Sequence, residues 1–139
     1  VFSRGFNCAQ AVLSALGPSL GLPREICFKI ATPFGAGIAR RQEICGAVTG
    51  ALLALGLAYG RGEGDNDFQK EQTMLVAEDL FDRFHKLHGT HQCRDLLGVD
   101  LSTAEGQEAF ISDNLLEVKC ARFVADAVTM VLHIMDKMK

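Results

Sequence analysis

Apolar residues recur at three- and four-residue spacing almost throughout this chain, and no stretch shows the sustained alternation that strands need. The spacing predicts a first helix from about Asn7 to Leu16, stopped by Gly17-Pro18. A second starts near Pro23, a good first-turn residue, and continues through Ile30 toward Thr32. Pro33 to Gly37 reads as a loop with two permissive glycines, Gly35 and Gly37. From Ile44 to Gly60 no residue is charged, which predicts a central helix over about 43–59, buried on all sides. Arg61 to Asn66 is polar and glycine-rich, a surface loop. A long amphipathic helix follows from Asp67 to His88, with Met74, Ala77, Phe81 and Phe84 as its stripe, Leu80 and Leu87 beside it, and Gly89 as its stop. Next come a short helix from Thr90 as N-cap to Gly98, and another from Leu101 to Ile111. For the latter, Ser102 and Glu105 stand at capping-box spacing. The last helix runs from about Ser112 to Met138. The pattern predicts an all-α protein: a compact multi-helix bundle in one domain over 1–139, built around the uncharged helix.

The length, 139 residues, is enough to bury a sizeable core without staples. A spanning helix needs roughly twenty apolar residues. The uncharged run is shorter, carries Gly46, Gly50, Gly56 and Gly60 and has no aromatic belt, so no membrane span is expected. The net charge of -3 offers no basic footprint, which argues against a nucleic-acid partner. Read from Val1, the sequence has no secretory signal or twin-arginine pattern, and a cytoplasmic location is expected. It shows no acid–base carboxylate pair, no Ser/His/Asp triad and no nucleotide loop.

The chemistry therefore falls to five cysteines: Cys8, Cys27, Cys45, Cys93 and Cys120. No CxxC pair exists, which removes the thioredoxin, haem-attachment and zinc-knuckle motifs. Cys45 is expected in the first turn of the central helix, and Cys93 three residues after the Thr90 cap and beside Arg94. Free amides and the positive end of a helix dipole favour a thiolate at both positions. Gly46 and Gly50 each cost about 1 kcal/mol of helix propensity, so close approach by a partner backbone or a small group is expected there. Cys8 falls in register with Val12 and Ala15, and Cys120 with Leu116, Phe123, Ala127 and Ile134, so both point into the bundle. Cys27 reads as core. His88, His91 and Cys93 have zinc-ligand spacing, but Gly89 interrupts the set. His133 belongs on the surface. Gly35 to Gly37 with Arg40 and Arg41 has the makings of an anion loop, although a structural turn suits it better.

These motifs together resemble a family named for the pattern C…GCAxxG…C…C, whose members are described as redox-active. The resemblance covers nearly the whole chain: Asn7-Cys8-Ala9-Gln10, Phe34-Gly35-Ala36-Gly37-Ile38, Cys45-Gly46-Ala47-Val48-Thr49-Gly50, Cys93-Arg94-Asp95-Leu96-Leu97-Gly98 and the lone Cys120. Ile44 stands where the family name places a glycine. The resemblance implies that Cys8, Cys45, Cys93 and Cys120 are the functional set.

Three functions compete on these residues. In the first, Cys45 or Cys93 attacks as a thiolate and a second family cysteine resolves the mixed disulfide with an unidentified redox partner. Such an enzyme would be a thiol-dependent oxidoreductase. In the second, the same four cysteines hold an iron–sulfur cluster or zinc. In the third they merely pack inside a helical interaction module. The first two require their sulfur atoms to meet at one place.

Overall fold

A computed structural model describes residues 4–139. It is all-α, with seven α-helices among the described residues: α1 (Cys8–Leu16), α2 (Arg24–Ala31), α3 (Gly46–Tyr59), α4 (Asp67–His88), α5 (Cys93–Leu97), α6 (Ala104–Ser112) and α7 (Ala121–Lys137). Among the described residues no helix is long and apolar enough to cross a membrane.

Helices α1 and α3 pack against each other most extensively, and α2, α4 and α7 surround them. Val12, Leu13 and Leu16 of α1 meet Val48, Ala51 and Leu55 of α3, Leu80 and Phe84 of α4, and Phe123, Val131 and Ile134 of α7 in one core. The α1–α3 contact is close because the motif glycines leave room for it. A Cβ on Gly46 would lie 3.0 Å from the Ala9 amide nitrogen, and one on Gly50 would lie 2.8 Å from the Ala9 carbonyl oxygen. The partner backbone expected beside these glycines is α1.

Gly50→Ala therefore tests the packing. Overpacking against a backbone costs about 1–3 kcal/mol, whereas alanine gains only about 1 kcal/mol over glycine in a helix. Urea unfolding should show a net loss of about 1 kcal/mol, the middle of the range these opposing effects allow. An equally stable variant would mean that the two helices can part at no cost.

Several boundaries differ from expectation. The central helix begins at Gly46, because residues 43–45 are extended and Ile44 forms an isolated antiparallel bridge with Gln92. Only its first half is fully buried: Leu57 is exposed, so it is not enclosed on all sides. Gln92, not Thr90, caps α5; the Thr90 hydroxyl instead accepts from the Gln92 amide in a local turn. Thr103, not Ser102, caps α6 through its hydroxyl at the Gly106 amide, since Ser102 donates to Asp100. On α4 the buried stripe is Val76, Leu80 and Phe84, while Met74 and Leu87 are exposed: the core occupies a face slightly rotated from the one inferred. Ala15 also faces outward on α1.

The last helix is broken where continuity was expected. Asp113 and Asn114 interrupt it, with Asn114 at φ 53°, and the chain resumes through a π-turn at Leu116–Cys120 before α7. Five-residue spacing replaces four in such a turn. Leu115 and Cys120 are consequently the buried pair, and Leu116 is only half-buried.

Residues 36–42 make the other irregular segment. Gly37, at φ 73°, is accompanied at positive φ by Ala36, Ile38, Ala39, Arg40 and Gln42. A left-handed run through side-chain-bearing residues costs roughly 1–2 kcal/mol per residue, so the surroundings must hold it in place. Gly35 is extended instead, and needs to be glycine because a Cβ there would strike the Asn7 side chain.

Candidate functional site

Cys8, Cys45, Cys93 and Cys120 line one cavity of about 100 Å3. Leu96, Leu97, Leu101, Phe110, Leu116 and Phe123 supply most of its remaining wall, closed on one side by Ala36, Gly37 and Gly46. Cys27 lies elsewhere, fully buried with its Sγ 3.6 Å from the Leu22 carbonyl oxygen, as its core assignment requires. All five cysteines are free thiols.

Each of the four arrives by a different device. Cys8 is the first residue of α1, fixed by a capping box in which Asn7 and Gln10 exchange side-chain and backbone hydrogen bonds. Cys45 and Cys93 are brought together by the Ile44–Gln92 bridge. The Cys45 amide donates to the His91 carbonyl oxygen at 2.8 Å, and the Cys93 amide to that of Glu43 at 2.6 Å. These are the two bonds that flank a non-hydrogen-bonded pair in an antiparallel ladder. Cys120 is turned inward by the π-turn.

Gln42 joins these parts together, and sequence reasoning missed it. It is buried, sits at φ 54°, donates from Nε2 to the Val99 carbonyl oxygen at 2.8 Å, and accepts at Oε1 from the Leu101 amide at 2.7 Å. Its own carbonyl receives the Arg94 amide. One side chain thus ties the left-handed turn to the chain that follows α5. The only signal in the sequence was an amide residue at the end of a glycine loop.

The thiols differ in acidity, and not as helix position predicts. Desolvation pushes Cys45 up to about 12, although the Ala47 and Val48 amides aimed at its sulfur pull the other way. Cys93 is pushed up to about 11, by desolvation first and then by the neighbouring Cys120, with the Gln42 side chain and Arg94 opposing. Burial in an apolar cavity thus opposes the thiolate expected at each of the two helix starts. Cys120 alone is lowered, because the Cys8 thiol hydrogen-bonds to it and Lys119 lies beside it. Cys8 is raised well above the ordinary thiol value, chiefly by that same hydrogen bond and then by burial. The two thiols interact directly, and the adjacent Lys119 ammonium favours ionisation of Cys120 over Cys8. Lys119 is itself held in position, its Nζ 3.2 Å from the Leu96 carbonyl oxygen and 3.4 Å from that of Leu97.

Metal binding fits less well. Among the described residues no three His, Cys, Asp or Glu side chains converge in a way that could hold a metal ion, neither the four cysteines nor His88, His91 and Cys93. His88 packs between Phe84 and Phe123, with its Nε2 3.0 Å from Asp126 Oδ2, and His133 is exposed.

No curated protein and no solved structure matches this chain. A family model does, over residues 6–134, and its description is "putative redox-active protein (C_GCAxxG_C_C)". Matched on Ala47-Val48-Thr49-Gly50, this sequence has Cys45-Gly46 where the family name writes Gly-Cys, which corrects the comparison made at Ile44. The packing explains the order, since position 46 faces α1 with no room for a sulfur whereas position 45 faces the cavity. With four cysteines gathered at one cavity and the match spanning nearly its whole length, the chain belongs to the family that bears this description.

Proposed function

We propose that the protein performs thiol–disulfide exchange, with Cys120 as the attacking thiolate and Cys8 as the resolving thiol. The observation that carries this reading is that Cys8 and Cys120 line one cavity and lie in one buried cluster, with the Cys120 thiol lowered and the Cys8 thiol raised by their contact. The Cys120 thiolate attacks one sulfur of a partner disulfide, whose S–S bond breaks and whose other sulfur leaves as a thiolate and takes a proton. Cys8 then loses its proton and attacks the Cys120 sulfur of the mixed disulfide. The second partner sulfur departs, and a Cys8–Cys120 disulfide remains. Two electrons pass from the pair to the partner. Cys45 and Cys93, pushed up to about 12 and about 11, stay protonated at neutral pH. The lack of a converging ligand set favours this chemistry over an iron–sulfur cluster or zinc. Five free thiols suit a reducing, cytoplasmic setting.

Mass spectrometry after mild oxidation tests the pairing. The protein should lose two hydrogens and yield one cross-linked peptide joining Cys8 to Cys120. A Cys45–Cys93 bond instead, or no bond at all, would overturn it.

A further inference from the structure

The cysteine cavity is too small for more than a sulfur-bearing end of a ligand, so the rest of any small substrate must lie outside it. One groove continues it. A cleft of about 510 Å3 is lined by Ala36, Arg40, Leu101, Gln107, Phe110 and Ile111, and Ala36, Leu101 and Phe110 also line the cavity. A volume of this order is typical of small-molecule sites. Most of the cleft wall is apolar, and Ile111 stands 77% exposed at its edge.

Charge narrows the choice of occupant. On a protein of net charge -3, Arg40 is the one ionic residue of the cleft, and no carboxylate pairs with it among the described residues. It also lines the polar cleft on the opposite side of Ala36, which likewise has no acidic residue. Arg40 is held at φ 65° inside the left-handed turn, with its amide bonded to the Gly35 carbonyl oxygen. The left-handed turn thus places Arg40, an exposed cation, on the rim of an apolar cleft that adjoins the cysteine cavity.

We propose that this cleft takes a small dithiol, or its cyclic disulfide, borne on an apolar chain that ends in a carboxylate. The sulfur end would enter the cavity beside Ala36, the chain would lie against Leu101, Phe110 and Ile111, and the carboxylate would meet Arg40. This assignment rests on the exchange reading above and names its substrate class. In the reducing direction, one ligand thiolate attacks the Cys8–Cys120 disulfide, forming a mixed disulfide and releasing one cysteine thiolate. The second ligand thiol closes the ligand's ring and releases the other cysteine. The protein gains two electrons and two protons, and the ligand loses both.

Dihydrolipoate and dihydrolipoamide test it, since they share the dithiol and differ in the terminal charge. Reduction of the oxidised protein should be about three-fold or more faster with the carboxylate, as a single exposed ion pair allows. The preference should vanish in Arg40→Gln and invert in Arg40→Glu. Equal rates in the parent protein, or a preference unchanged in Arg40→Gln, would overturn the proposal while leaving disulfide exchange standing. Octanoate, with the chain and carboxylate but no sulfur, separates the two claims. Arg40-dependent octanoate binding, seen as NMR shifts at Ala36 and Phe110, supports the cleft even if no Cys8–Cys120 disulfide ever forms. Absence of that binding overturns it.

Discussion

At pH 8, Cys120→Ser is expected to lose the one thiol that iodoacetamide labels quickly, with the total labelling rate falling at least about ten-fold. Thiolate, not thiol, is the reacting species. A thiol at about 11, as for Cys93, is only about 0.1% ionised at that pH, and one at about 12, as for Cys45, about 0.01%. Cys8 is held protonated by its bond to Cys120. Labelling should therefore concentrate on Cys120, the only cavity thiol shifted downward. Cys8→Ser supplies the contrast. A serine hydroxyl can still donate to the Cys120 sulfur, so fast labelling should persist while the disulfide is lost. Peptide mapping that puts the fast label on Cys45 or Cys93 in both variants would return the attacking role to a helix start.

The second large effect is alkaline unfolding. Cys45 and Cys93 have folded values raised above the ordinary thiol value of 9.0, to about 12 and about 11. Above pH 9 the unfolded chain releases these protons while the folded protein still holds them, so rising pH favours unfolding. The stability is fully present below pH 9 and is lost as pH rises toward the folded values. Each group contributes roughly 1.4 kcal/mol per pH unit across that window. The two together amount to on the order of 5 kcal/mol by pH 11, comparable with the whole stability of a small domain. Cys8 acts in the same direction. Cys120 acts oppositely and earlier, since its lowered value gives stability that is lost only as pH falls through it. Urea unfolding at pH 8, 9, 10 and 11 should show the decline. Cys45→Ser should flatten it by one proton, because a serine hydroxyl does not ionise there and is a favoured N-cap for α3. Constant stability from pH 9 to 11 would show that these thiols are not desolvated as the cavity requires.

The periodicity of the chain and its glycine and proline stops were enough to give the helical class, the sequence order of the helices and most of their ends, because both are local properties. Gly89 and Gly98 close α4 and α5 at positive φ, as their places after the last apolar residue imply. The resemblance separated Cys27 from the other four cysteines, and the structure brings those four to one cavity. Acidity was misjudged for a physical reason: a helix start is visible in sequence, whereas the depth of burial that opposes it is set by elements distant along the chain. The rim cation was in view as Arg40, but its relation to the thiols depends on a left-handed turn that no residue type between 36 and 42 announces, Gly37 apart.

By itself, the amino-acid order determined the helices, since these follow from backbone propensity and side-chain periodicity. Only the tertiary structure decided which cysteines share a cavity. The Ile44–Gln92 bridge, the π-turn before α7 and the buried Gln42 together fix where each sulfur sits. The meeting of residues 8 and 120 is a matter of distance in space, which helical periodicity does not encode.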